Sequence, residues 1–174
     1  VVIAALELPA TLTAREQTLV LRRAGLGDLD ALMSLLADDP ISAARGDQAQ
    51  ESDLPAYERA LADLIGDPSN EILLVVDASE TVIATMQLTR IPGMARRGST
   101  RLLVEAVRVS SALRSGGVGS AMMRWVTDVA APATGSSIVQ LTSDEARVDA
   151  HRFYERLGFV GSHRGFKYAV TAAN

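Results

Sequence analysis

The residues best suited to chemistry lie between Glu105 and Gly119, a stretch that reads E-A-V-R-V-S-S-A-L-R-S-G-G-V-G. Its second half, Arg114-Ser115-Gly116-Gly117-Val118-Gly119-Ser120, joins a cation to three glycines. Glycine allows close backbone approach and positive φ. Apolar alternation ends near Val109, and after Gly117 the residues Val118, Met122, Trp125 and Val129 recur at helical spacing. The order is therefore strand, glycine-rich turn, helix start. Free N–H groups at such a start, the helix dipole and Arg114 together suit a phosphate. A plain tight turn with packing glycines fits the same spacing. The turn lacks the Lys-Ser/Thr ending of a P-loop and a dinucleotide G-x-G-x-x-G, so nucleotide hydrolysis and nicotinamide chemistry are poorly supported. Glu105 lies in the preceding strand. A carboxylate there suits proton abstraction, directly or through water, and equally a strand-edge salt bridge or buried ion pair.

The elements that must position these groups follow from periodicity and breakers. Residues 1–17 read as an N-terminal appendage of uncertain structure, within which Val1 to Leu8 suits a strand or a loose tail, and 18–174 as one domain. Thr18 to Arg23 is a first strand. A helix capped by Gly27 or Asp28 places Leu29, Leu32, Met33 and Leu36 on one face. Asp38 to Gln50 reads as loop, and a second helix spans about Asp53 to Ile65. Glu71–Asp77 and Thr81–Ile91 form an antiparallel hairpin. Pro92 to Ser99 is a connector carrying Arg96 and Arg97, which border the cleft in reach of an acidic acceptor or a cofactor but whose charges are chiefly expected to be solvated. Thr100–Val109 is a strand with Leu103, Glu105, Val107 and Val109 on a common face. The helix after Gly117 is closed by Ala131-Pro132 and Gly135, with Trp125 in the core. Ile138–Thr142 is a strand and Ala146–Leu157 a helix stopped by Gly158. Phe159-Val160 and Phe166–Val170 are expected as closing strands. The fold class is mixed α/β, a central mixed sheet with helices on both faces.

Composition narrows the function. The chain has 174 residues, 48% hydrophobic and 22% charged, which fits a single globular domain. A net charge of -4 argues against a nucleic-acid partner. The absence of cysteine excludes disulfides, thiolate metal sites and a cysteine nucleophile, and no metal is expected. The first ten residues are too short and interrupted to span a membrane and lack a basic leader, so no membrane partner and a cytoplasmic location are expected.

A second pattern stands downstream: Ala150-His151-Arg152-Phe153-Tyr154-Glu155-Arg156-Leu157-Gly158-Phe159, or A-x-x-F-Y-x-x-L-G-F. Together with Arg114, Gly117 and Gly119, which match Q/R-x-x-G-x-G/A, it resembles the GNAT superfamily of acetyl-CoA-dependent N-acetyltransferases. The resemblance covers residues 18–170. It implies the acyl-CoA N-acyltransferase fold, with acetyl-CoA as co-substrate. The turn Arg114 to Ser120 would cradle the pyrophosphate, and the strand Val107, Arg108 and Val109 would hold the pantetheine arm. Backbone N–H groups of that strand would also meet the developing oxyanion. Tyr154 would act as general acid on the departing thiolate, and Glu105 as base for a substrate amine. Two positions depart from the family pattern. Ser115 replaces a glycine, and Arg147 replaces an asparagine that usually meets the cofactor; Arg147 is the cofactor contact expected instead. His151 is expected near the cofactor or on the solvated side of its helix, and His163 can line an acceptor pocket. Asp144 and Glu145 are candidates to cap the last helix, and Asp144 also to meet the amine. The resemblance thus implies transfer of acetyl to a primary amine, chiefly of a small molecule. A protein or peptide N-acetyltransferase, and a non-catalytic acyl-CoA sensor, are the alternatives. A homodimer is the expected assembly.

Overall fold

The computed structural model describes residues 3–170, so Val1 and Val2 lie outside the described residues. The chain divides into two compact units, Val1–Leu141 and Thr142–Asn174. The first holds a six-stranded sheet: β1 (Ala10–Ala14), β2 (Gln17–Arg23), β3 (Asn70–Val76), β4 (Val82–Ile91), β5 (Arg101–Val109) and β6 (Ile138–Leu141). The strands lie side by side in sequence order. Every neighbouring pair is antiparallel except β5–β6, which is parallel. The parallel pair needs a crossover, and a helix supplies it.

The sheet begins earlier than Thr18. Thr11 pairs with Val20 and Leu12 with Leu19, so residues 10–14 are an edge strand. Upstream, Ile3 and Leu6 are buried. Arg23 holds this segment by donating to the carbonyls of Ala4 and Leu6 while its Nε meets Glu71 at 2.8 Å.

One face of the sheet is covered by α1 (Leu29–Ala37) and α3 (Leu54–Gly66), joined through the short α2 (Pro40–Ala43). Asp39 starts α2 by accepting the Ser42 N–H at 2.8 Å, and Pro40 takes the first helical position. This turn of helix lies inside the stretch Asp38–Gln50 that reads as loop. Asp28 turns backward, accepting from Gly25 N–H and bidentately from Arg22 at 2.9 and 2.8 Å. Leu32, Leu61 and Leu74 form the apolar cluster beneath these helices.

After β4, the turn α4 (Ala95–Gly98) holds Arg96 and Arg97 at φ of 54° and 58°, both exposed. The opposite face of the sheet buries Leu73, Val75, Met86, Leu88, Leu102 and Val104. It is met by α5 (Val118–Trp125), which contributes Val118, Met122, Met123 and Trp125. Trp125 is a core residue, as its helical spacing suggests. The helix runs on through a π turn, Val126–Ala130, into α6 (Ala131–Ala133). Pro132 has no N–H for the carbonyl one turn before it, and the widened turn absorbs that mismatch.

The second unit contains α7 (Val148–Arg156). Gly158, at φ 89°, closes it: Gly158 N–H donates to Glu155 and Phe159 N–H to Tyr154. This double bond pattern is a Schellman cap. The two closing strands are not formed. Phe159 is consumed by the cap, and its ring meets Tyr154 edge-on. Residues 159–170 carry no helix or strand, and Phe166, Tyr168 and Val170 are exposed. Their alternating pattern favours a strand, yet a strand needs a ladder partner, and the described residues of this unit hold none.

The Leu32–Leu61–Leu74 cluster makes a stability prediction. Leu74 is fully buried, so Leu74→Ala should cost about 2–5 kcal/mol, read as a lowered urea midpoint with an unchanged slope.

Candidate functional site

The site begins with an extra residue in β5. Gln87 pairs with Glu105, but Thr85 pairs with Arg108, so Ala106 and Val107 together oppose Met86. Ala106 takes a φ of 49°, the left-handed region that a non-glycine residue rarely enters. This is a β-bulge, and it breaks the two-residue alternation. Glu105 therefore shares its face with Leu103, Thr85, Gln87 and Arg108. The common face expected for Leu103, Glu105, Val107 and Val109 is corrected: beyond the bulge, Val109 pairs with Ala84 on the other face. Glu105 is exposed, and no hydrogen bond or ion pair engages it among the described residues. The strand-edge salt bridge is thus not formed there.

β6 pairs with β5 only from Arg101 to Val104. From Glu105 to Val109 no strand pairs with that edge among the described residues. Alternate residues of a strand face a given edge, and Ser110 N–H donates to Ile83 on the β4 side, so the backbone donors and acceptors of Val107 and Val109, not those of Arg108, are available to an extended ligand arm. The Val107 carbonyl already accepts one bond, from Arg108 at 2.9 Å, and a carbonyl has a second lone pair. Arg108 also reaches Ser42 Oγ at 2.5 Å, tying β5 to α2.

The glycine turn follows. Ser111–Leu113 form a single helical turn, Ser115 lies at φ 68°, and Gly117, at φ 86°, starts α5. Ser115 occupies a backbone region that glycine enters at lower cost. A Cβ on Gly116 would stand 2.9 Å from the Leu113 carbonyl oxygen, so the turn closes only on glycine. The first hydrogen bond of α5 runs from Ala121 N–H to Gly117 O. No hydrogen bond among the described residues uses the N–H groups of Gly117, Val118, Gly119 or Ser120. Such orphan donors, with the positive end of a helix behind them, fit a pyrophosphate. Arg114 is held beside the turn, donating to the Asp38 carbonyl at 3.2 Å.

Two contacts here escape a reading of the sequence. Asp38, at the end of α1, accepts from Ser111 N–H at 2.6 Å and from Ser111 Oγ at 2.8 Å. The Ser111 bonds, with Arg114 nearby, hold its carboxyl below the ordinary value. Arg15 is the other. It sits at the β1–β2 turn with φ 53°, and its Cγ would lie 3.4 Å from a Cβ on Gly117. Its position within 1–17, with no Asn-Gly signal for a hairpin, hid it.

Beside the bulge lies a cavity of about 210 Å³ between α1, α3 and the sheet. Its walls include Leu32, Leu36, Leu61, Leu64, Ile72 and Ala106. Tyr57 also lines it and donates its hydroxyl to Asp47; that bond pushes the phenol up to about 12.

The second unit carries Arg147, His151 and Tyr154. Tyr154 is half-buried, with its ring 5.0 Å from Phe153, edge to face. Arg147 precedes α7, and its N–H donates to the Asp144 carbonyl. That carbonyl also lies 2.8 Å from His151 Nε2. A carbonyl only accepts, so Nε2 carries the proton there. The Asp144 carboxylate accepts from Ala146 N–H. His163 is exposed and shares a hydrogen bond with Ser162.

The fold has counterparts among known proteins. The model of the acetyltransferase (GNAT) family matches residues 29–159. A transcriptional regulator of Bacillus halodurans C-125 is similar at 35% identity and a TM-score of 0.82, covering 87% of this chain and 99% of that one. An acetyltransferase of Trypanosoma brucei shares the fold at 22% identity and TM-score 0.68, with 87% and 99% covered. So does glucosamine-6-phosphate N-acetyltransferase of Arabidopsis thaliana, at 17% and 0.65, with 90% and 100% covered. No curated protein matches the sequence.

The Asp38 contacts set a pH dependence. A carboxyl whose pKa is lowered on folding stabilises the fold fully above its unfolded-state value, here 3.8, and loses that contribution as pH falls through the lower folded value. Between pH 5 and 3 the urea midpoint of the wild type should therefore fall more steeply than that of Asp38→Asn. Parallel pH curves would show that the carboxylate does not hold the turn.

Proposed function

The chain belongs to the acetyltransferase (GNAT) family, and on that basis we propose that it moves an acetyl group from acetyl-CoA to the primary amine of a small molecule by direct attack. The observation that carries this reading is the junction at the bulge. There a free strand edge, four orphan N–H groups and an unpaired carboxylate follow one another along β5 and the start of α5. Acetyl-CoA supplies the activated thioester: a C–N bond forms as its C–S bond breaks, and the sulfur leaves as a thiolate.

The chain's own residues do the rest. The N–H groups of Gly117 to Ser120, with Ser115, Gly116 and Arg114, bind the pyrophosphate. The exposed edge Val107 to Val109 aligns the pantetheine arm. Glu105 takes the proton that an alkylammonium of pKa about 10 must lose. Tyr154 returns a proton to the thiolate, a role supported by the A-x-x-F-Y-x-x-L-G-F motif. Arg147 adds a contact to the cofactor on the same ground. We propose no nucleic-acid or membrane partner, a cytoplasmic location and a homodimer.

A second reading, an acyl-CoA sensor without turnover, is favoured by one observation: the 35% identical relative is described as a transcriptional regulator. Turnover separates the two. Acetyl-CoA should be consumed with an amine panel, and Glu105→Gln and Tyr154→Phe should each lower kcat/KM by about 10²–10⁴-fold with little change in acetyl-CoA affinity. Tight acetyl-CoA binding without turnover would select the sensor. Arg114→Ala should weaken coenzyme A binding about tenfold or more, measured by calorimetric titration. An unchanged Kd would remove Arg114 from the site.

A further inference from the structure

We infer that the acceptor is an amine with a compact apolar body, a phenylalkyl or branched or straight alkyl chain, which lies in the cavity between α1, α3 and β4. This inference rests on the transfer reading above and assigns its acceptor side.

Three observations converge. First, the cavity adjoins the proposed base. Gln87 lines it and is the direct cross-strand partner of Glu105, and Ala106, the next residue of β5, lines it too. Directly paired residues hold their Cβ atoms about 4.5–5.5 Å apart on one face. A group in the cavity therefore has a carboxylate at its end and the exposed strand edge beyond it.

Second, the walls are made of Leu32, Leu36, Leu61, Leu64 and Ile72, and the donors of the polar side chains among them are already engaged. Thr85 donates to the Leu73 carbonyl at 2.9 Å, and Gln87 Nε2 to Asn70 Oδ1 at 3.0 Å. Tyr57 donates to Asp47. A sugar or polyamine body would lose its hydration among these apolar walls and find no free side-chain donor and few acceptors, at a cost of about 1–3 kcal/mol for each polar group left unsatisfied. An apolar body meets no such cost.

Third, the size fits. An apolar cavity of about 150 Å³ holds benzene, and this one measures about 210 Å³. That is room for a phenyl ring or a chain of five or six carbons, with the ammonium left at the rim near Glu105. The charge pairs with a carboxylate that no other side chain engages.

The test is a homologous series of amines, from ethylamine through hexylamine, with phenethylamine, glucosamine and spermidine, using the full chain and acetyl-CoA. Each added methylene should raise kcat/KM about fourfold until the cavity is full, and phenethylamine should exceed glucosamine and spermidine. Ala60→Phe, a substitution at an exposed position of the cavity wall, should flatten the series while leaving the acetyl-CoA Kd unchanged. A flat series in the wild type, or a preference for glucosamine or spermidine, overturns the inference and leaves the transfer reading intact. Calorimetric binding of phenethylamine that Ala60→Phe abolishes, with no amine acetylated, keeps the cavity as an amine site and overturns transfer. If no apolar amine is either bound or acetylated, the cavity assignment is overturned outright.

Discussion

The site depends on the extra residue in β5. A regular strand would send Glu105 and Val107 to one face and Ala106 and Arg108 to the other. With Ala106 bulged, Glu105 and Arg108 point to the same side, the side on which α1 and α3 lie. Glu105 is left exposed beside the cavity, while Arg108 reaches α2 through Ser42. The bulge also sits one residue beyond the last β5 residue that β6 pairs with, Val104, with Glu105 between them. Bulges bend a strand and raise its local twist. The backbone that loses its neighbour is thus the backbone already turned aside. Ala106 pays for this with a left-handed φ, of the order of 1–3 kcal/mol of strain, held in place by the paired strand on either side of it.

A second constraint links the cavity to the glycine turn. α1 lines the cavity along its length and ends at Asp38, whose carboxylate grips Ser111 while its carbonyl receives Arg114. The helix that shapes the cavity and the turn that presents the N–H groups are fastened to one another by three hydrogen bonds. Neither is a free-standing loop. Arg108 and Ser42 add a parallel tie from the strand between them. The positioning of the glycine turn is therefore set by tertiary contacts as much as by its own glycines.

What the sequence revealed was mostly local. The glycine turn, the C′ role of Gly158 and the stripes of α1 and α3 depend on residues within a few positions of one another, so spacing exposes them. The bulge does not show, because an inserted residue leaves a strand looking apolar and β-branched; only pairing with β4 reveals the slip. α2 was hidden by Pro40 and Gly46, which read as loop signals although Pro40 serves as a helix start. β1 was hidden because its turn, Arg15-Glu16, lacks the residues that favour a hairpin. The alternation in Phe166–Val170 is genuine, but a strand is a property of two segments. The Asp38–Ser111 contact spans 73 residues and no periodicity could announce it.

The strand order has a kinetic consequence. Five of the six strands follow one another as an antiparallel meander, so each pairing closes on a strand that is its neighbour in the chain. Such topologies keep loop-closure entropy small at each step and favour rapid assembly. The exceptions are β2 to β3, which must enclose α1 through α3, and β5 to β6, which must enclose α5. Those two insertions are also the segments that wall the cavity and present the glycine turn. The longest loop closures in the sheet are thus the ones that bring in the cavity helices and the glycine turn, while β3, β4 and β5, bulge included, are joined by short connections.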